Sequence, residues 1–118
     1  MFYRTLGRTG ICVSLAGLGT GGPSRLGQAT GRTAAESHRI VHRALDLGIN
    51  LFDSSPAYGA SEELLGAALQ GVPRDRYVIA TKFAWQDAQG IKADPQALMQ
   101  QLEQSLCRLG VEAVDVLQ

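Results

Sequence analysis

The sequence predicts an α/β fold in which a short N-terminal β-hairpin is followed by parallel strands that alternate with helices. Three observations support this fold class: two short apolar stretches separated by glycines at the start of the chain, apolar stripes at helical spacing, and short apolar runs between those stripes. The strands are expected to be parallel because each helical crossover returns the chain in the same direction. Periodicity alone leaves open whether they close into a barrel or form an open, doubly wound sheet.

The first predicted elements are short. Two apolar stretches flank a segment with Gly7 and Gly10, which suit backbone positions of positive φ, so we predict a hairpin over residues 2–15. The stretches are Phe2-Tyr3 and Ile11-Cys12-Val13. Residues 15–19 predict the first parallel strand, and a loop containing glycine, proline and serine follows as far as Arg32.

Two helices and two strands are predicted in the middle of the chain. The pattern Thr33-Ala34-Ala35-Glu36 is typical of a capping box, in which the hydroxyl and the carboxylate each bind a free amide at a helix start. A second helix is expected after Ser61, whose hydroxyl would cap it. Strands are predicted at residues 49–53 and 77–83. The apolar faces are predicted to be Ile40, Val41, Ala44 and Leu47 in the first helix, and Leu64, Leu65, Ala68 and Leu69 in the second.

A third helix and a last strand complete the predicted series. Asp94 followed by Pro95 is typical of a helix start, and Gly110 is expected to end the helix. Residues 114–118 then predict another strand. The inner stripe of the helix is Leu98, Leu102, Leu106 and Leu109.

The composition is that of an ordinary globular domain. The 118 residues carry 11 Lys and Arg against 11 Asp and Glu, so the formal net charge is zero, and 45% of the residues are hydrophobic. This balance lacks the basic surface that nucleic-acid binding or attachment to an anionic membrane requires. No apolar run has the length of a signal peptide or a spanning helix, so a cytoplasmic protein is expected. Cys12 and Cys107 form no paired motif and are predicted to be buried thiols.

Polar residues suited to acid–base chemistry lie at the carboxyl ends of predicted strands. Asp53 ends one strand, Lys82 lies near the end of the next, and Tyr58 follows Asp53 in the intervening loop. Because the carboxyl ends of parallel strands meet at one rim, we expect these side chains to lie close together. An ammonium at about 4 Å favours the ionised form of a phenol by about 4 kcal/mol in a sheltered site, but only by about 1 kcal/mol in open water. The predicted site therefore needs shelter from solvent.

Several short sequence stretches, spread in order along nearly the whole chain, together carry a resemblance to a known family. They are Tyr3-Arg4-Thr5-Leu6-Gly7-Arg8-Thr9-Gly10 with Val13-Ser14, Gly17-Leu18-Gly19-Thr20-Gly21, Leu45-Asp46-Leu47-Gly48-Ile49-Asn50-Leu51-Phe52-Asp53, Tyr58-Gly59-Ala60-Ser61-Glu62 with Leu65-Gly66, and Thr81-Lys82. In residues and order, they make the chain resemble the N-terminal part of an aldo-keto reductase.

The resemblance implies a fold, a reaction and a set of site residues. The fold is an α/β (β/α)8 TIM barrel, of which residues 1–118 form the N-terminal portion, roughly half, behind the hairpin. The reaction is hydride transfer between NADPH and an aldehyde or ketone. Tyr58 would be the general acid, Lys82 the cation that assists it, and Asp53 the partner of Lys82 and a neighbour of the nicotinamide ribose. The residues implied to line the cofactor side of the first loop are Gly19, Thr20 and Gly21, and no metal site is expected.

Some parts of the family pattern lie beyond residue 118. The catalytic histidine of the family follows the strand predicted here at residues 114–118, and its phosphate- and adenine-binding segments come later. A complete barrel needs about 250 residues. We therefore expect a domain truncated before these segments, with negligible carbonyl reduction by the 118-residue chain itself.

Two other functions stay open at this point. A non-catalytic interaction or regulatory module could complete a barrel with another chain, because the exposed sheet edges can pair with it or cause self-association. Some members of the family it resembles are regulatory subunits of channels. A flavodoxin-like open sheet that binds a flavin or nucleotide at its first loop is the third alternative.

Two further motifs favour a structural interpretation. The spacing Gly17-x-Gly19-x-x-Gly22 matches a dinucleotide fingerprint, but Pro23 and a long loop follow where a helix should start. His38 and His42 have the spacing of metal ligands on a helix. They fall on its polar side, so we predict that both are solvated.

Overall fold

A computed structural model of the chain describes residues 1–83, 86–87, 90–91 and 94–118. A hairpin is followed by alternating strands and helices, with a small antiparallel pair inserted before the last helix. In chain order the elements are β1 (Tyr3–Thr5), β2 (Cys12–Ser14), β3 (Gly17–Gly19), α1 (Ala34–Asp46), β4 (Leu51–Asp53), α2 (Ser61–Leu69), β5 (Val78–Thr81), β6 (Gln86–Asp87), β7 (Gly90–Ile91), α3 (Pro95–Leu109) and β8 (Val116–Leu117). Single 3-10 turns occupy Gln28–Thr30 and Arg74–Arg76.

The order of the strands decides between the architectures that the sequence left open. Strands β3, β4, β5 and β8 lie side by side in sequence order, and each neighbouring pair is parallel. Every crossover therefore advances in the same direction, as in a barrel, whereas a flavodoxin-like sheet places its first strand between the second and the third. The prediction of a hairpin followed by roughly half of a (β/α)8 barrel is confirmed, and the flavodoxin-like alternative is wrong.

Helices α1 and α3 begin as their sequences predict. The Thr33 hydroxyl accepts from the Glu36 amide, while the Glu36 carboxylate accepts from the Thr33 amide, which completes the capping box. At α3 the Asp94 carboxylate accepts from the Ala97 amide, with Pro95 in the first helical position. Local chemistry is sufficient to set both starts.

The start of α2 differs from the prediction. Ser61 is the first helical residue and caps nothing; its hydroxyl donates to the carbonyl oxygen of Thr20 at 2.8 Å. Gln28 Oε1, from the loop after β3, accepts from the Ala60 amide at 2.9 Å instead. A distant loop therefore binds the amide of the residue before the helix, and the hydroxyl that was predicted to cap α2 locally is used elsewhere.

The core lies between the sheet and the three helices. Its most deeply buried apolar residues are Val41, Phe52, Leu65, Ala68, Ile79 and Leu109. Within the predicted stripe of α1, however, Ile40 is 41% exposed and Leu47 is 52% exposed. The buried arc of α1 is centred on Ser37, Val41 and Ala44, and the two exposed residues lie to one side of it, so their assignment to the inner face is wrong in this structure.

Two other sequence predictions need correction. Cys12 and Cys107 are both exposed, not buried, because the buried positions of their elements are occupied by other residues. His42 is exposed as predicted, but His38 is half-buried, and its Nε2 has no hydrogen-bond partner in the part of the chain that the structure describes. Within the same described residues no group of three or more potential metal ligands occurs.

The parallel strands are shorter than the sequence predicts. The predicted runs 15–19, 49–53, 77–83 and 114–118 contain paired strands of two to four residues, and Lys82 follows β5 directly instead of lying inside it. No helix within the described ranges has the length and apolar character needed to cross a bilayer.

Candidate functional site

An aspartate and a lysine form an ion pair at the carboxyl end of the sheet. Lys82 Nζ lies 2.6 Å from both carboxylate oxygens of Asp53 and donates to the Ser54 carbonyl oxygen at 2.9 Å. The two residues meet because β4 and β5 are adjacent and parallel, so that their carboxyl ends lie at one rim. The side chains are 29% exposed for Lys82 and 37% for Asp53, which leaves the pair partly screened by solvent.

A third group at the rim was not among the predicted site residues. Gln118 Nε2 donates to Asp53 Oδ1 at 3.0 Å. Its backbone is held on both sides, since its amide donates to the Thr81 carbonyl oxygen and its own carbonyl oxygen accepts from the Phe83 amide. Gln118 follows β8 as Lys82 follows β5, so its place at the end of a predicted strand was a signal that sequence reasoning did not use.

The Tyr58 ring lies next to the ammonium group. Lys82 Nζ is 5.2 Å from the ring centroid, within the range of a cation–π contact. The Tyr58 hydroxyl has no hydrogen-bond partner within the described residues. The structure thus brings together all three residues predicted for acid–base chemistry, with the lysine against the ring.

A buried polar network lies beneath the rim. The Thr20 hydroxyl donates to Ser54 Oγ at 2.9 Å, and Gln28 Nε2 donates to Ser61 Oγ at 3.0 Å. Ser61 in turn donates to the Thr20 carbonyl oxygen, and Thr20, Ser54 and Ser61 have no exposed surface. Because buried polar groups are costly to leave unpaired, this network fixes the loop after β3 against the loop that carries Tyr58.

The three residues predicted to line a cofactor in the first loop have different surroundings. Gly19 is exposed, and a Cβ added there would have no atom of the described residues within 4 Å. The hydroxyl, amide and carbonyl groups of Thr20 are all hydrogen-bonded within the protein. Gly21 packs against the Tyr58 ring. Gly19 is therefore an open position, Thr20 supports the loop, and Gly21 contacts the phenol ring.

Behind the rim lies a second ion pair, in which Glu62 is buried. Its side chain is 1% exposed; Oε2 accepts from Arg108 Nε at 2.6 Å, and Oε1 accepts from the Thr81 hydroxyl at 2.6 Å. Glu62 lies in the first turn of α2, at the positive end of the helix dipole. The structure adds a role, because this carboxylate joins α2 and α3 to the residue that precedes Lys82.

Comparisons with known proteins agree with this geometry. The family model described as the aldo/keto reductase family matches residues 17–118. The chain is 39% identical to the L-galactose dehydrogenase of Arabidopsis thaliana, over 97% of this chain and 36% of that protein. It is 34% identical to the NADH-specific methylglyoxal reductase of Escherichia coli, over 94% of this chain and 39% of that protein.

Two solved structures have the same fold over almost the whole chain. An aldo-keto reductase from Pseudomonas aeruginosa superposes with a TM-score of 0.83 and 38% identity, covering 98% of this chain and 45% of that one. The thermostable aldo-keto reductase Tm1743, solved with the inhibitor epalrestat, gives a TM-score of 0.77 and 28% identity, covering 99% of this chain and 42% of that one. The chain therefore spans less than half the length of these relatives.

Proposed function

This chain belongs to the aldo/keto reductase family, and we propose that residues 1–118 carry the acid–base rim of an NADPH-dependent oxidoreductase that reduces aldehydes or ketones. The observation that supports this proposal is the proximity of three side chains at the carboxyl end of the sheet: Lys82 contacts both Asp53 and the Tyr58 ring. By the same proposal the chain is the N-terminal portion of the reductase domain.

Each of the three residues has a defined part in the proposed reaction. Tyr58 donates its hydroxyl proton to the carbonyl oxygen of the substrate as a hydride reaches the carbonyl carbon, which yields the alcohol. The Lys82 ammonium stabilises the negative charge left on the phenol oxygen until a proton from solvent restores it. Asp53 keeps Lys82 in place through its two short hydrogen bonds. General acid catalysis of this kind contributes about 100-fold to 10,000-fold to a rate.

The residues at the rim fit a nicotinamide cofactor, which supplies the hydride when it is bound. Asp53 is partly exposed and offers carboxylate oxygens to the hydroxyls of a ribose, while Gly19 leaves open space beside it. Gly19, Thr20, Gly21 and Asp53 remain the proposed cofactor neighbours. Thr20 would act through its support of the loop, since its hydrogen-bonding groups are already bound. We propose NADPH, although one relative is named NADH-specific.

The solvent exposure of the rim sets a condition for this chemistry. With Lys82 at 29% and Asp53 at 37% side-chain exposure, solvent partly screens the action of the ammonium on the phenol. In water its contribution is about 1 kcal/mol, compared with about 4 kcal/mol in a sheltered site. Segments that cover the rim in a complete barrel would supply the difference, so we propose that the 118-residue chain alone reduces carbonyls negligibly.

A chimeric barrel tests the proposed function. Residues 1–118 replace the matching part of the Pseudomonas aeruginosa relative, which superposes over 98% of this chain. We expect the chimera to oxidise NADPH in the presence of aldehydes, and Tyr58→Phe to lower kcat by about 100-fold or more. Tyr3→Phe, in the hairpin far from the rim, is the matched control and should leave kcat unchanged. A chimera that folds but reduces no carbonyl, or one in which Tyr58→Phe keeps full activity, would contradict the proposal.

A further inference from the structure

Gly21 and the Tyr58 ring are closer than any side chain at position 21 would allow. A Cβ built on Gly21 would lie 2.6 Å from Cε2, 2.7 Å from Cζ and 2.9 Å from Cδ2 of Tyr58. Contacts this short lie well inside the optimal separation of two carbon atoms, about 3.5–4.0 Å. The ring therefore occupies the space that a side chain would take.

The backbone conformation does not itself require glycine at this position. Gly22, the next residue, has a φ of 69°, in the left-handed region that favours glycine, whereas Gly21 is not among the residues with positive φ. Gly19, at the end of β3, also lacks positive φ, and a Cβ there would meet no atom of the described part of the chain within 4 Å. What distinguishes Gly21 from Gly19 is the neighbouring phenol.

The backbones on both sides of this contact are fixed. Thr20 donates its amide to the Asp53 carbonyl oxygen at 2.8 Å, and its carbonyl oxygen accepts from the buried Ser61 hydroxyl, so hydrogen bonds hold the loop in place beside Gly21. Tyr58 donates its amide to the Ser55 carbonyl oxygen, and its own carbonyl oxygen accepts from the Ser61 amide. The Tyr58 ring is the part that can yield, since its hydroxyl has no partner within the described residues.

We propose that Gly21 is a positioning residue for Tyr58: the absence of a side chain holds open the space that places the phenol against Lys82. The inference rests on the proposed function, in which Tyr58 is the general acid. It goes beyond the proposed cofactor contact, because the partner of Gly21 is a residue of this chain. Any side chain at position 21 displaces the ring from its position 5.2 Å from Lys82 Nζ.

Nuclear magnetic resonance on the 118-residue chain tests the positioning role without any need for turnover. The Tyr58 ring produces a ring-current shift on the Lys82 ε-methylene protons, defined as the shift that Tyr58→Leu abolishes. We expect Gly21→Ala to remove most of this shift and Gly19→Ala, the matched control, to preserve it. An unchanged shift in Gly21→Ala overturns the proposal.

Urea unfolding of Gly21→Ala in the original chain and in Tyr58→Leu provides a second test, which applies even if Gly21→Ala fails to fold in the original chain. The urea midpoint should fall when Gly21→Ala is introduced into the original chain, and should stay equal or rise when it is introduced into Tyr58→Leu, where the obstructing ring is absent. An equal loss in both backgrounds overturns the proposal, because the strain then lies in the backbone and not in the contact.

The chimeric barrel separates this inference from the proposed function. If the chimera reduces carbonyls, Gly21→Ala should lower kcat and should have no further effect in Tyr58→Phe. If the chimera is inactive while Gly21→Ala still displaces the ring, the proposed function fails and the positioning role stands. If the chimera is active while the ring-current shift is unaffected, the positioning role fails and the function stands.

Discussion

At the residue scale the two carboxylates nearest the rim have different environments and different consequences. The Asp53 carboxylate accepts hydrogen bonds from Lys82 and Gln118. Because its side chain is also partly exposed, it remains accessible to a bound molecule. Glu62 is 1% exposed, and the Arg108 guanidinium and the Thr81 hydroxyl bind its two oxygens. The first carboxylate is therefore open to solvent, whereas the second holds elements together.

Removing the partner of the buried carboxylate should be costly. Arg108→Met leaves the Glu62 charge buried without its cation, and breaking such a pair costs about 3–5 kcal/mol. That loss is a large part of the stability of a small domain, so the midpoint of urea unfolding should fall steeply. Arg43→Met, at an exposed position of α1, is the control, with an expected change of about 0.5 kcal/mol or less. Equal midpoints for the two variants would contradict the role given to the pair.

At the element scale, helix α1 carries a charge-dependent cap. Hydrogen bonds from the Thr33 amide and then the Thr33 hydroxyl, followed by one from the Arg32 guanidinium, hold the pKa of the Glu36 carboxyl below its ordinary value. A carboxyl with a lowered pKa in the folded state stabilises the fold at pH values above its unfolded pKa. That stabilisation disappears as the pH falls through the folded value.

Glu36→Gln isolates this charge, because glutamine still completes a capping box. We expect the variant to be less stable than the original chain at pH 7. The difference should shrink as the pH falls below about 4.3, the ordinary range of a glutamate, and through the lowered value. Urea midpoints measured between neutral and strongly acidic pH test this. Parallel curves for the two proteins would show that the charge of Glu36 does not stabilise α1.

At the scale of the whole molecule, the described four-stranded sheet has two edge strands, each paired on one side only. Strand β3 pairs with β4, and β8 pairs with β5, so their outer edges are unpaired within the described residues. Ile40 and Leu47 add an exposed apolar patch on α1. Unpaired edges and apolar patches are features through which chains associate.

We therefore expect the 118-residue chain to self-associate. Light scattering coupled to size exclusion should give a mass above that of a monomer, increasing with concentration. Ile40→Lys with Leu47→Lys should reduce the association by charging the patch, whereas Gln70→Lys, at an exposed position of α2's end, should not. A chain that stays monomeric at its highest soluble concentration would contradict the prediction. A discrete dimer would favour completion of the barrel by a second copy over unspecific aggregation.

Much of the fold follows from local sequence. The capping box at Thr33, the Asp94-Pro95 helix start and the glycine at position 48, with its φ of 82°, are decided within one turn of backbone, and the structure has each of them. The start of α2 was not predictable in this way, because the side chain that binds the Ala60 amide there belongs to Gln28, a residue more than thirty positions away in the chain.

The sequence by itself determined which side chains reach the rim, because a residue at the carboxyl end of a parallel strand has only one edge of the sheet to occupy. Asp53 and Lys82 meet there for that reason, and Tyr58 follows in the connecting loop. Only the tertiary structure decided the partners beneath and beside them: Gln118 on Asp53, Arg108 on the buried Glu62, and Gly21 against the phenol. These contacts depend on how separate elements pack in three dimensions, which periodicity and spacing along one chain do not specify.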